Sequence, residues 1–168
     1  MTLAQSLLPE FDHEMATTRR LLERVPAEHA SWRPHPKSTA LGALAVHLAT
    51  LAGMGRRALE LTELDFNPPG APPFRPAAFE STAQVVALFD ANVLASRAAI
   101  ERASDTDLAT SWTLKSGGRV VFTLPRTAVL RSMMINHIIH HRGQLSVYLR
   151  LNDVPVPSIY GPTADESP

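Results

Sequence analysis

The chain has 168 residues, 45% apolar and 19% charged, which suits one soluble domain (1–168) with a real core. Sixteen basic residues balance sixteen acidic ones. A sequence-independent nucleic-acid binder needs an excess of positive charge, so no nucleic-acid partner is expected. The chain has no cysteine, which excludes disulfides, a thiolate zinc site and a cysteine nucleophile. Any thiol chemistry must therefore use a thiol from outside. The stretch Met1–Glu14 lacks a basic start and predicts no signal peptide. No apolar run of about eighteen residues stands out, so no membrane span is expected, and the cytoplasm is the expected location.

Ala4, Leu8, Phe11, Met15, Thr18, Leu22 and Val25 repeat at helical spacing and predict a first helix over roughly residues 2–25. Pro9 fits it only in the first turn. His13 falls nearly opposite the stripe and reads as solvated. The linker 27–37 holds Trp32, Pro34 and Pro36 and is not helical throughout; His29 and His35 in it read as surface residues. Ser38 is a good N-cap for a second helix to about Leu64, with Leu41, Leu44, Leu48, Leu51 and Leu59 inward. His47 sits on the shoulder of that face. A lone histidine there is more often a satisfied core residue than a ligand.

The run Asn67–Pro73, rich in proline, is a loop. Ser81 followed by Gln84 matches a capping box for a third helix to about Ala103, with Val85, Leu88, Phe89, Ala95, Ala99 and Ala103 inward. Asn92 lies within its stripe and suits a helix-to-helix hydrogen bond. Residues 111–114 and 120–123 are β-prone around Lys115-Ser116-Gly117-Gly118-Arg119, which predicts a short hairpin. Pro125 then fits the first turn of a fourth helix to about Leu151. Leu130, Met134, Leu145 and Tyr148 face one way on that helix and Ile135, Ile138, Ile139 and Leu149 face others, a pattern that often marks a subunit interface. The tail 153–168 reads as irregular. The predicted fold class is all-α: a four-helix bundle with a short β-hairpin before the last helix. Bundles of this kind build cofactor and metal sites from side chains on facing helices.

The fourth helix carries NHIIHHRGQL (Asn136–Leu145). His137 and His141 lie about 40° apart around the axis and one turn apart along it. Two imidazoles placed so can share a metal ion, and their face predicts a core-facing pair. The spacing is necessary but not sufficient. No acidic residue occupies the HExxH position, so a metalloprotease lacks its general base. His140 is a rival ligand about 100° round from that face, placed outside the first coordination sphere or at the surface. Arg142 points about 120° away, which suits packing or a dimer contact. Gln144 and Tyr148 point closer to a metal and are the candidates for orienting the ligands.

His47 within LGALAVHLA and the HxxHHRGQ pattern of the fourth helix resemble the DinB family of four-helix bundles, which includes YfiT-like metalloenzymes. The order of elements is similar over nearly the whole chain. The resemblance implies a His47, His137, His141 metal triad holding zinc, nickel or another divalent ion such as iron or manganese. It implies a homodimer, a small-molecule substrate, and relatives that act as transferases with bacillithiol, mycothiol or glutathione-like thiols. Three functions are then open. The first is a metal-dependent transferase in which a low-molecular-weight thiol attacks an electrophile. The second is a hydrolase using metal-activated water, for which Asp12 and Glu14 are the carboxylates nearest the inner face of the first helix. The third is a non-catalytic, stress-associated metal-binding module.

Overall fold

The structure is a computed structural model and describes residues 1–72 and 75–167. Pro73 of the predicted loop and Pro168 of the predicted tail lie outside that range. The first helix, α1, spans Leu3–Leu22. Thr2 opens it with a capping box: its hydroxyl accepts from the Gln5 N–H, and the Gln5 side chain accepts from the Thr2 N–H. Pro9 lies in the second turn rather than the first. Only the Gln5 carbonyl loses its helical donor there, and Gln5 is exposed, so water can serve it. Ala4, Phe11, Met15, Thr18, Leu22 and Val25 are buried as predicted, and Leu8 is half-buried.

The predicted second helix is two helices, α2 (Leu41–Leu51) and α3 (Met54–Glu60). Ser38 is not its cap. The first-turn N–H groups of Leu41 and Gly42 instead donate to the carbonyls of Trp32 and Ala30, each at 2.9 Å. The linker thus folds back over the start of α2 and satisfies donors that a side-chain cap would otherwise serve. At the break, Asn92 Nδ2 donates to the Ala49 carbonyl at 2.8 Å, the interhelical role expected of it. Ser96 Oγ donates to the Ala52 carbonyl and accepts from the Arg56 N–H. A methyl group at Gly55 would meet Ser96 Cβ at 2.8 Å and Met134 Sδ at 3.0 Å, so the glycine permits this close approach. Beyond Leu61 the chain is extended, and strand β1 (Glu63–Asp65) replaces the predicted helix end.

Helix α4 spans Thr82–Arg102. Ser81 caps it, accepting from the Gln84 N–H, but the Gln84 side chain reaches back to the Glu80 N–H, one residue earlier than predicted. Among the described residues it is the one helix long and apolar enough to cross a membrane by composition. Here it packs on α1, α2 and α3. Its Asp90 and Arg97 form ion pairs with Arg19 and Asp12 of α1, each at 2.9 Å. A short helix not foreseen, α5 (Asp105–Ala109), follows, opened by a Ser104–Asp107 capping box.

Strands β2 (Ser111–Ser116) and β3 (Arg119–Pro125) are the antiparallel pair predicted as a hairpin. The connecting Gly117 and Gly118 have φ of 63° and 76°, which glycine adopts without strain. They belong to a three-stranded mixed sheet, because β1 pairs parallel with β2. The Asp65 carboxylate accepts from the N–H groups of Gly117 and Gly118 and ties β1 to that turn. The all-α prediction is corrected accordingly: the chain is mostly helical with a small sheet.

Pro125 ends β3 and precedes the last helix instead of lying inside it. That helix is not uniform. α6 (Arg126–Val129) passes into a π-helical stretch, Leu130–Ile135, and then into α7 (Asn136–Leu151). Leu130, Met134, Ile135, Ile138, Leu145 and Leu149 are all buried within the one chain, and Ile139 is half-buried. The many-sided apolar pattern is therefore met by the monomer's own core. The tail is irregular as predicted but tied down: Arg20 pairs with Glu166 and Arg150 with Asp165.

Candidate metal centre

His47 comes from the middle of α2, and His137 and His141 from the first two turns of α7. One ring nitrogen from each lies within 4.8 Å of the others. Ring centroids are 5.3 Å apart for His47–His137, 4.6 Å for His47–His141 and 4.7 Å for His137–His141. The His47 ring stands at 70° and 85° to the other two, so its edge meets them. The group was predicted to face the core. All three rings are in fact half-buried, at the rim of the α2–α7 seam, while His140 beside them is exposed.

Burial, then the neighbouring His141 and His137, lowers the His47 pKa from 6.5 to about 4. Burial and the His141 and His140 rings lower His137 as well, against an opposing hydrogen bond to the Met133 carbonyl. Both shifts favour the neutral imidazole, the form with a lone pair to give. The outer contacts fix which nitrogen gives it. The Gln144 amide oxygen lies 2.7 Å from His141 Nδ1. An amide oxygen only accepts, so Nδ1 carries the proton and Nε2 is left free. The same amide places its nitrogen 3.2 Å from His140 Nε2, which must then be the acceptor. Ligating histidines typically show such outer partners. Three imidazoles, one of them oriented from outside by Gln144, fit a divalent ion.

The remaining candidates lie elsewhere. Tyr148 packs edge-to-face on Trp32, ring centroids 5.5 Å apart, rather than on the ligands. Arg142 is 1% exposed and pairs with Glu14 at 2.6 Å, the packing role expected for it. Its guanidinium also donates to the Tyr160 hydroxyl, which donates in turn to Glu14. Asp12 is paired with Arg97. Both carboxylates considered as hydrolytic bases are thus committed to arginines. His13, His29 and His35 are exposed, as predicted. The sequence reading missed Trp32 as a neighbour of α7 and the π-helical stretch before His137. Trp32 carried no periodic signal in a proline-rich linker, and the π-helical stretch has no composition of its own.

A profile of the DinB superfamily matches residues 10–145. Two solved structures share the fold. A DinB-like protein from Bacillus cereus superposes with a TM-score of 0.70 at 23% identity, covering 95% of this chain and 98% of that one. A DinB-like protein from Bacillus subtilis, YjoA, gives 0.67 at 21% identity, covering 89% and 95%. No curated protein matches the chain significantly. With four-fifths of its length inside the family profile, the chain belongs to the DinB superfamily.

Proposed function

We propose that this protein is a divalent-metal-dependent transferase that presents a small-molecule thiol to an electrophile. The observation that carries the reading is the gathered His47, His137 and His141 trio, which among the described residues includes no carboxylate. Three imidazoles leave coordination positions open, as a catalytic site requires. Zinc or nickel suits an all-nitrogen set that must also accept sulfur, whereas manganese prefers oxygen. Bound there, the ion supplies a Lewis acid that lowers the pKa of a coordinated thiol. The chain's own residues do the rest. His47 and His137 stay neutral near pH 7 and hold the ion. Gln144 keeps His141 in the tautomer that binds through Nε2. With no cysteine in the chain, the sulfur comes from a free thiol.

The hydrolase reading is weaker because Asp12 and Glu14 are held by Arg97 and Arg142 and neither is free to take a proton from water. A homodimer in the cytoplasm belongs to the same proposal, and light scattering of the purified protein tests the dimer. The decisive assay is turnover of the metal-loaded protein with a panel of thiols and electrophiles. Thiol-dependent, metal-dependent consumption of the electrophile supports the transferase. Ester or amide cleavage without thiol replaces it with the hydrolase, and no turnover with either leaves a metal-binding module.

A further inference from the structure

Helix α4 is apolar out of proportion to its burial. In its most apolar 18-residue stretch 28% of the residues are buried. A helix apolar on more than one side is normally covered on more than one side. Val85, Phe89, Ser96 and Ile100 are buried, and the helix packs on α1, α2 and α3. Leu94 falls about opposite them around the axis, with Ala83, Ala87, Ala91 and Ala98 within about 60° of it. Leu94 is 71% exposed, Ala83, Ala87 and Ala91 are exposed, and Ala98 is half-buried. The nearest charges are Asp90, turned to Arg19 of α1, and Glu101, beyond the last of the five and beside Arg97.

On the α1 side this stripe borders a cleft of about 220 Å3 whose apolar lining is Met15, Ala16, Phe89 and Val93. Two ion pairs flank it, Arg19 with Asp90 and Arg97 with Asp12. Each cation is neutralised inside its own copy, so a like surface brought against this one meets no net charge. A lipid-facing helix carries basic or aromatic residues that anchor it at the headgroups, and the stripe has none. From Ala83 to Ala98 it is about 22 Å long and one helix, about 10 Å, wide. With the cleft it reaches the roughly 300 Å2 at which an apolar patch marks a surface of interaction.

We infer that this face is where two copies of the chain meet, α4 antiparallel to α4 of the partner about a two-fold axis. A two-fold contact uses one patch twice, so the patch must complement itself. Full overlap of the stripe with itself sets the register: Ala83 faces the partner's Ala98, and Leu94 faces the partner's Ala87. The one large side chain of the stripe thus lies over a small one, twice per pair, and the alanines let the axes approach to about 8 Å. The inference gives the homodimer of the proposed function its face. It rests on that dimer and is independent of the transfer chemistry. The apolar sides of α7 are taken by the chain's own core, which leaves α4 as the open one. A patch well below the usual 800 Å2 or so per partner sets the expected Kd in the micromolar range, about 1–100 μM.

Sedimentation of the full-length protein across that concentration range should show a monomer–dimer equilibrium. Leu94→Glu would bury a carboxylate from each copy and should raise the dimer Kd at least about 100-fold, with the circular dichroism and zinc content of the monomer unchanged. Ala87→Lys should weaken the dimer likewise. The double variant should restore it, because each new carboxylate then meets the new ammonium of the other copy. The two positions are seven residues apart, about 10 Å along one helix, so the rescue cannot arise within one chain. The chain has no cysteine, which makes single-cysteine capture clean. A short bis-maleimide should join Ala91→Cys, beside the axis, and should not join Val147→Cys on the exposed side of α7. A dimer that Leu94→Glu leaves intact, or capture through Val147→Cys instead, would overturn the inference and leave the homodimer standing. A monomer throughout would remove both, and a monomer that floats with phosphatidylglycerol vesicles would give the face to lipid. Thiol-dependent turnover is read separately and decides neither outcome.

Discussion

Gln144→Ala removes one side chain and two hydrogen bonds, at 2.7 Å to His141 Nδ1 and 3.2 Å to His140 Nε2. Gln144 is exposed, so the fold should lose no more than about 0.5 kcal/mol. Metal affinity should change far more. Without the amide oxygen, His141 can carry its proton on either nitrogen and its ring can turn. Loss of such an outer partner costs about 10- to 100-fold in metal affinity, or about 1.4–2.7 kcal/mol. Gln144→Glu keeps an oxygen acceptor at Nδ1 and makes it charged, so it should hold zinc at least as tightly as the native residue while losing the contact to His140. Zinc competition against a chromophoric chelator reads the affinity, and the visible spectrum of the cobalt-loaded protein reads the ligand geometry. Equal zinc affinity in Gln144→Ala and the native protein would show that this hydrogen bond does not orient the ligand.

Replacing His47, His137 or His141 by alanine should each remove most of the bound metal, whereas His13→Ala and His140→Ala should not; full retention in any of the first three excludes that residue from the trio, as elemental analysis would show. Glu14→Ala strands the buried Arg142 guanidinium and should cost about 3–5 kcal/mol by urea unfolding. Tyr160→Phe, which removes only the bridging hydroxyl, should cost about 1 kcal/mol. An Glu14→Ala cost below that of Tyr160→Phe would mean the pair is not the main term. The folded His47 takes up its proton only near pH 4, the unfolded one near 6.5, so between them the unfolded chain holds more protons. Stability of the metal-free protein should therefore fall as pH drops from 6.5 toward 4, with His137 adding in the same direction. Thermal melts across that window should show a shallower slope in His47→Gln; an unchanged slope would assign the loss to other groups.

The parts of the molecule that repeat were legible in the sequence, and the parts that depend on distant partners were not. The buried stripe of α1 and the pairing of His137 with His141 follow from helical periodicity, which acts over a single turn. The break between α2 and α3 does not, because Asn92 and Ser96 of α4 bind the carbonyls freed there from more than forty residues away. Strand β1 was hidden for the same reason: Glu63–Asp65 is extended because β2 lies beside it. Ser38 looked like a cap, yet the carbonyls of Ala30 and Trp32 took the first-turn donors. In the site, the approach of His47 to the other two rings followed from the resemblance more than from its own helix, where it is one histidine among leucines. The commitments of Glu14 to Arg142 and of Asp12 to Arg97 were beyond any local rule.

The π-helical stretch Leu130–Ile135 places one surplus residue between two halves of a rod, so the two halves keep separate phases. Upstream, Leu130 and Met134 are indexed to the interior; downstream, His137 and His141 are indexed to His47. Excising a single residue there would let the rod re-form as an ordinary helix and turn the downstream half by about 100°. The interior upstream would stay filled while the two imidazoles swung off the seam. Length within these six positions, more than the identity of any one of them, is what aligns the pair.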